Sequence, residues 1–320
     1  MTLPVTVKTW QYNVNQRISA QGTYAANSQK MMRTIVNSLI GFANHAWTTC
    51  YSCNGTTAGT AGDTVNRWTS DGYLVWNNAG SAHSWWVGKQ TGISSNFQVC
   101  IDLNSNFSYN ATIVISNSAG FTGGSTTARP TATDEIVLLT TSVWGSNTTD
   151  KDQIVHVLQS TDGYCTRVLL YDTSVCKGYW MFDTPINTVS GWTNPNICTI
   201  LGSSSSTGVV TLSNLYTTAN CHGYGVSAMT LFLTCEGGGG SPLTSLVNSA
   251  NDLGGSFPMF PIGIASTTAS NRGRHGSMID LWYGSSAIAD GDSYPGNNSC
   301  QFLQNGLLIQ PWNGSSPVLV

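Results

Sequence analysis

Hydrophobic and polar positions alternate at the start of the chain. Val5, Val7 and Thr9 fall on one face, and Lys8, Trp10 and Tyr12 on the other, which predicts a strand or extended arm. The period then changes. Met31, Met32, Ile35, Val36, Leu39 and Ile40 recur at helical spacing, Asn27 or Ser28 is placed to cap the run, and Gly41 to stop it. The pattern therefore divides the first part into an arm over residues 1–26 and a short helix over residues 27–41. After about residue 65 the period returns to two, in short apolar runs broken by Gly, Asn, Asp and Ser. Predicted strands cover residues 74–76, 84–89, 97–103, 111–116, 135–140, 154–159, 165–170, 178–182, 209–212, 229–234, 278–282 and 302–309. Thr161-Asp162-Gly163 between two of these runs predicts a hairpin.

So many short strands predict a mainly β chain: a sandwich or barrel-like domain of antiparallel strands, with an extended N-terminal arm and one short helix. Residues 42–320 are expected to form a single elaborated β-domain. Two β-lobes are the alternative, divided near 202–207 (GSSSST) or 237–241 (GGGGS).

Composition changes the picture most through charge. Asp, Glu, Lys and Arg make up 8% of residues, against about 25% in an ordinary soluble domain. Twelve basic and fifteen acidic residues give a net charge of −3. The polar surface must therefore be Ser, Thr, Asn, Gln and Gly. Forty per cent hydrophobic residues, with aromatics along the whole chain, argue against disorder. Secreted lectin-like domains, adhesins and virion proteins share this profile. Residues 1–30 hold no apolar stretch of about 7–15 residues behind a basic start, so the expectation is a chain made and kept in the cytosol. A phage particle assembles there and works outside, which reconciles location with composition.

Few residues are arranged for chemistry. Cys50 and Cys53 form the one C-x-x-C and are weak candidates for a metal site, because zinc ordinarily takes about four ligands and the nearest further donors are His45 and the adjacent Cys221-His222. Nine cysteines cannot all pair within one chain; reduced thiols are expected, with Cys100 and Cys235 as small buried hydrophobes. His275, Ser277 and Asp280 lie close in sequence, but a triad is assembled from distant parts of a fold; Arg272, Arg274 and His275 read instead as a polar loop before strand 278–282. Two glutamates, Glu135 and Glu236, and thirteen aspartates, many of them in turn contexts, supply little for glycoside cleavage. Scattered basic residues argue against nucleic acid, and the apolar runs are too short to span a bilayer. No enzyme activity, cofactor or metal is expected. Trp85 and Trp86 are adjacent, so in a strand one faces in and the other out, where it offers a surface for a glycan or a neighbouring subunit.

The segments VKTWQYNVNQ (7–16), RWTSDGYLVWNNAGSAHSWWV (67–87), SAGFTGGSTTARPTATDE (118–135), GRHGSMIDLWYGSS (273–286) and QPWNGS (310–315) together resemble a family of structural proteins encoded in the virion gene clusters of tailed bacteriophages and prophages. The resemblance runs along most of the chain and consists of turns and aromatics. It implies membership of a virion (capsid surface or decoration, neck or tail), with copies of itself and other phage virion proteins as partners, and no catalysis. Val7, Trp10 and Tyr12 on the arm, with Trp85 and Trp86, are the candidate assembly or binding surface, the arm adding a strand to a neighbour's sheet edge. The alternative is a receptor- or glycan-binding adhesin or lectin-like module with a host-surface glycan as its partner.

Overall fold

A computed structural model describes residues 10–16, 24–41, 47–68, 83–92, 97–103, 111–116, 119–139, 153–172, 175–186, 196–202, 221–224, 231–235, 260–266, 273–283, 300–302, 308–311 and 318–319. The protein is mainly β, with sandwich-like, predominantly antiparallel sheets and, among the described residues, a single helix.

Helix α1 spans Tyr24–Ile40. It begins earlier than the expected cap, so Asn27 and Ser28 lie within it; Ala25 and Ala26, strong helix formers, sit in the added turn. Met31, Met32, Ile35, Val36 and Leu39 are all buried, as their spacing requires. At the far end a Cβ on Gly41 would lie 2.6 Å from the Asn37 carbonyl oxygen, which explains the glycine there. The Gln159 side-chain amide donates to the Leu39 carbonyl (2.7 Å), one of the acceptors a helix end leaves without an internal partner.

The first strand, β1 (Trp10–Gln16), corrects the arm expectation. It pairs antiparallel along its whole length with β7 (Gln153–Ser160). It also pairs in parallel, at Asn15 and Gln16, with β17 (Val318–Leu319) near the end of the chain. Asn15 reaches α1 through Ser38 Oγ (2.5 Å). Residues 10–16 are thus an integral strand of the chain's own sheet; Val7 lies outside the described residues.

That sheet continues antiparallel from β7 through β8 (Cys165–Asp172), β9 (Val175–Asp183), β10 (Asn196–Gly202) and β11 (Cys221–Tyr224). The β7–β8 turn is the expected Thr161-Asp162-Gly163 hairpin, with Gly163 at φ +77° and its N–H donating to the Ser160 carbonyl (2.9 Å). A second sheet runs in chain order through β2 (Trp47–Cys53), β3 (Ser84–Gln90), β4 (Gln98–Leu103), β5 (Thr112–Ser116) and β6 (Ile136–Leu139). One buried cluster joins α1 to both sheets: Trp47, Trp86, Val99, Ile101 and Ile113 from the five-stranded sheet, and Val155, Val157, Val168, Leu170, Trp180 and Phe182 from the seven-stranded one. The two sheets therefore share a core, and α1 is part of it.

A third sheet has the order β12 (Leu231–Cys235), β13 (Phe260–Ser266), β14 (Gly273–Tyr283), β16 (Leu308–Pro311), β15 (Cys300–Phe302). A bridge between Ile186, just after β9, and Ser277 of β14 links it to the seven-stranded sheet. Pro261 sits where the β13–β14 register shifts, as expected of a residue that cannot donate to the ladder. Two boundary expectations are corrected. Arg274 and His275 belong to β14 rather than to a loop, and the single strand expected over 302–309 is divided between β15 and β16. Predicted strands 74–76 and 209–212, and most of the low-complexity stretches at 202–207 and 237–241, lie outside the described residues.

Candidate functional site

The tryptophan pair sits on β3, in the middle of the five-stranded sheet, and alternation works as expected: the two rings go to opposite faces. Trp86 enters the shared core, where its indole N–H donates to Thr49 Oγ1 (3.0 Å) and its ring lies 6.2 Å from that of Trp47. Trp47 in turn donates to Thr166 Oγ1 of the facing sheet (2.8 Å). Trp85 points the other way, into a smaller cluster with Tyr51, Cys53, Val87, Cys100, Val114 and Phe121. Both tryptophans are 0% exposed. The expectation that one of them would form a free stacking surface is therefore corrected.

What covers Trp85 is a strap, residues 119–135, folded back on itself by a bridge between Thr122 and Thr131. The Trp85 indole N–H donates to the Ser125 carbonyl (2.9 Å). Gly124, at φ +95°, lies so close that a Cβ would sit 2.8 Å from Trp85 Cζ2. Gln98 Oε1 accepts from the Phe121 N–H (2.8 Å), and Ser116 Oγ donates to Asp134 (2.6 Å). Within the strap, the Arg129 guanidinium grips Glu135 through two hydrogen bonds of 2.9 and 2.7 Å. Hydrogen bonding from Arg129 holds the Glu135 carboxyl below its usual range. This is a surface clamp, and Glu135 is committed to it.

At the edge of the strap lies a polar pair that the pattern of the sequence did not single out. His83 Nδ1 is 3.0 and 2.9 Å from the two oxygens of Asp102, a buried carboxylate on β4. The hydrogen bond to Asp102 raises the His83 pKa above 6.5. Burial pushes the Asp102 carboxyl up, and the His83 proton pulls it down less strongly. The backbone N–H of His83 donates to Thr126 of the strap (2.8 Å). The legible signal was Asp102 itself, an aspartate inside the apolar run Val99-Cys-Ile-Asp-Leu103.

Cys50 and Cys53 are free thiols on β2, and Cys100 and Cys165 are free and buried. Cys50 coincides with the register shift between β2 and β3 and packs against the Trp85 cluster. Cys53 Sγ donates to the His83 carbonyl (3.4 Å) and accepts from the Gly55 N–H (3.3 Å). Burial raises both the Cys50 and the Cys53 pKa, which keeps the thiols protonated. Among the described residues, no group of three or more His, Cys, Asp or Glu is placed to hold a metal ion.

Trp10 takes part in a different arrangement. The Arg167 guanidinium on β8 lies 4.7 Å from its ring centroid and pairs with Asp183 of β9 through Nε (3.0 Å) and Nη2 (2.7 Å). Arg167 and Asp183 are fully buried; burial opposes the guanidinium's charge, and Asp183, Tyr179 and Cys165 together outweigh it. Trp10 thus ties β1 to β8. Tyr12 occupies the β1 position opposite Leu158. Ser277 is buried in its bridge to Ile186, and His275 and Asp280 share strand β14 with it. The structure thus brings Trp85 together with His83, Asp102 and the strap, and places Trp10 elsewhere, beside Arg167. No protein-family model matches the chain, and comparison with curated proteins finds no match.

Proposed function

We propose that this chain is a structural component of a tailed-bacteriophage virion (capsid surface or decoration, neck or tail), assembled in the bacterial host cytoplasm and working through interfaces between subunits. The observation that carries the reading is the scarcity of charge. Only 8% of residues are Asp, Glu, Lys or Arg, and several of these are consumed internally: Arg167 by Asp183, Arg129 by Glu135, and Arg67 by Asp63. With so few charges, the polar surface left to meet a neighbour must be built mainly from Ser, Thr, Asn, Gln and Gly. Burying such a surface avoids the cost of stripping water from ions, and a neutral patch with few charges is what the centre of a protein interface looks like. The resemblance of the turn and aromatic segments to virion proteins points the same way.

The glycan-binding reading rested on an exposed tryptophan at position 85 or 86. Both are enclosed, which removes them as a contact surface for a glycan and for a neighbouring subunit alike, and the assembly reading rests on the scarcity of charge. The mass of the protein in solution, followed by light scattering over a concentration series, tests it. A closed ring or other discrete oligomer is expected; a stable monomer at every concentration would overturn the proposal.

A further inference from the structure

Among the described residues, the tip of the strap over Trp85 is held by the His83 backbone and by the Trp85 indole. The His83 backbone N–H donates to the Thr126 carbonyl (2.8 Å), and the His83 ring is held by both oxygens of Asp102. Thr126 is flanked by Ser125, whose carbonyl accepts the Trp85 indole proton (2.9 Å) and whose N–H donates to Ala128 (2.8 Å). The side chain that sets the position of the backbone before β3 is therefore also the one whose backbone pins the tip of the strap. Asp102 is 1% exposed, whereas the His83 side chain is 22% exposed. The acid is enclosed and the base can still exchange a proton with water.

We propose that His83 and Asp102 form a pH-dependent latch that holds the 119–135 strap over the outer face of the five-stranded sheet. With His83 protonated, the pair is an ion pair in a low-dielectric site, and its hydrogen bonds are of the strong, charge-assisted kind. Loss of the proton leaves the buried carboxylate facing a neutral ring. The residue that anchors Thr126 is then held less firmly, and the strap tip loosens. The groups that act on His83 are Asp102 on β4, which favours the proton, and Arg129 on the strap, which opposes it. Asp102 also faces Arg129. Cys53 and Cys100 sense Asp102 in turn, with Arg67 near the first and Glu135 near the second.

The direction follows from linkage. The folded pKa of His83 is raised, so its contribution is fully present below pH 6.5 and is lost as pH rises through the higher folded value. The latch is thus closed in mildly acidic solution and opens toward alkaline pH. This inference is independent of the assembly proposal, since it concerns a contact within one chain.

The test uses the full chain labelled with 15N-tryptophan and 13C-histidine and followed by NMR against pH. The His83 ring is expected to titrate with a midpoint above 6.5, and the Trp85 indole N–H shift to follow the same midpoint. Exchange of that proton with water should rise severalfold across the transition in the wild-type chain, with no matching rise in His83→Gln over the same pH range. In His83→Gln the Trp85 shift should be flat. A Trp85 signal that ignores the His83 titration, or that shows the same profile in the variant, overturns the latch. Should His83→Gln fail to fold, the wild-type midpoints decide alone: coincidence supports the latch, and separation refutes it.

Discussion

The ring of Trp86 occupies the space that a side chain at Gly88 would need. Both residues lie on the same face of β3, and a Cβ on Gly88 would sit 1.9 Å from Trp86 Cη2 and 2.3 Å from Cζ2. Gly88→Ala must therefore displace an aromatic ring in the shared core, and overpacking of this kind costs about 3 kcal/mol. Urea unfolding measures it, and an unchanged midpoint would show that the ring has room to move. His156 on β7 makes a second prediction at this scale. Its ring lies 5.0 Å from that of Tyr171, and burial lowers its pKa from 6.5 to about 4. A group with a depressed folded pKa that is neutral when folded is charged in the unfolded chain first, so stability falls as pH drops from 6.5 toward 4. The loss attributable to His156 is at most about 3 kcal/mol. His156→Phe should remove that part of the acid sensitivity, read as the difference in unfolding free energy between pH 7 and 4; an identical loss in the variant would assign it to other groups. Neither Gly88 nor His156 looks special in the sequence, because what defines each is a neighbour in space.

Elements, rather than residues, carry the largest departure from expectation. Alternation at the N-terminus identified a strand, correctly for residues 10–16, but a strand's periodicity is the same whether it is an arm or an interior member of a sheet. β1 is sandwiched by pairing to β7 and β17, tied to α1 by Asn15 and to β8 by Trp10. Deleting residues 10–16 should therefore abolish the cooperative unfolding transition and the near-ultraviolet circular dichroism of the packed aromatics. A truncated chain that unfolds like the wild type would mean that β1 is dispensable and free to act elsewhere. The helix was legible because six apolar residues at a period near 3.6 leave no strand alternative; its start was not, because Tyr24, Ala25 and Ala26 carry no boundary signal. Strands β10, β11, β13 and β17 were not expected, and neither was β2. Its residues Trp-Thr-Thr-Cys-Tyr-Ser-Cys contain a bulge at Cys50 that breaks the alternation.

At the scale of the whole molecule, the low charge predicts how the protein associates. An interface of neutral polar groups gains little from ion pairing, and salt screens only charged contacts, over a Debye length of about 10 Å at 0.1 M. The oligomer proposed above should keep its mass between low and high salt; dissociation on adding salt would point to charged contacts instead. The same low charge was readable from the sequence, as were the mainly β class, helix α1 and the β7–β8 turn, because each depends on residues near one another in the chain. The double covering of the five-stranded sheet was not readable. Trp85 and Trp86 must face opposite ways in any strand, but whether the outer one meets water depends on a strap arriving from residues 119–135. The Arg167–Asp183 pair and the His83–Asp102 pair are equally invisible, since their partners lie sixteen and nineteen residues apart. Local periodicity determined the helix and many of the strands; only the tertiary structure decided which faces are closed and which charges are paired, because burial is a property of what comes to lie on top.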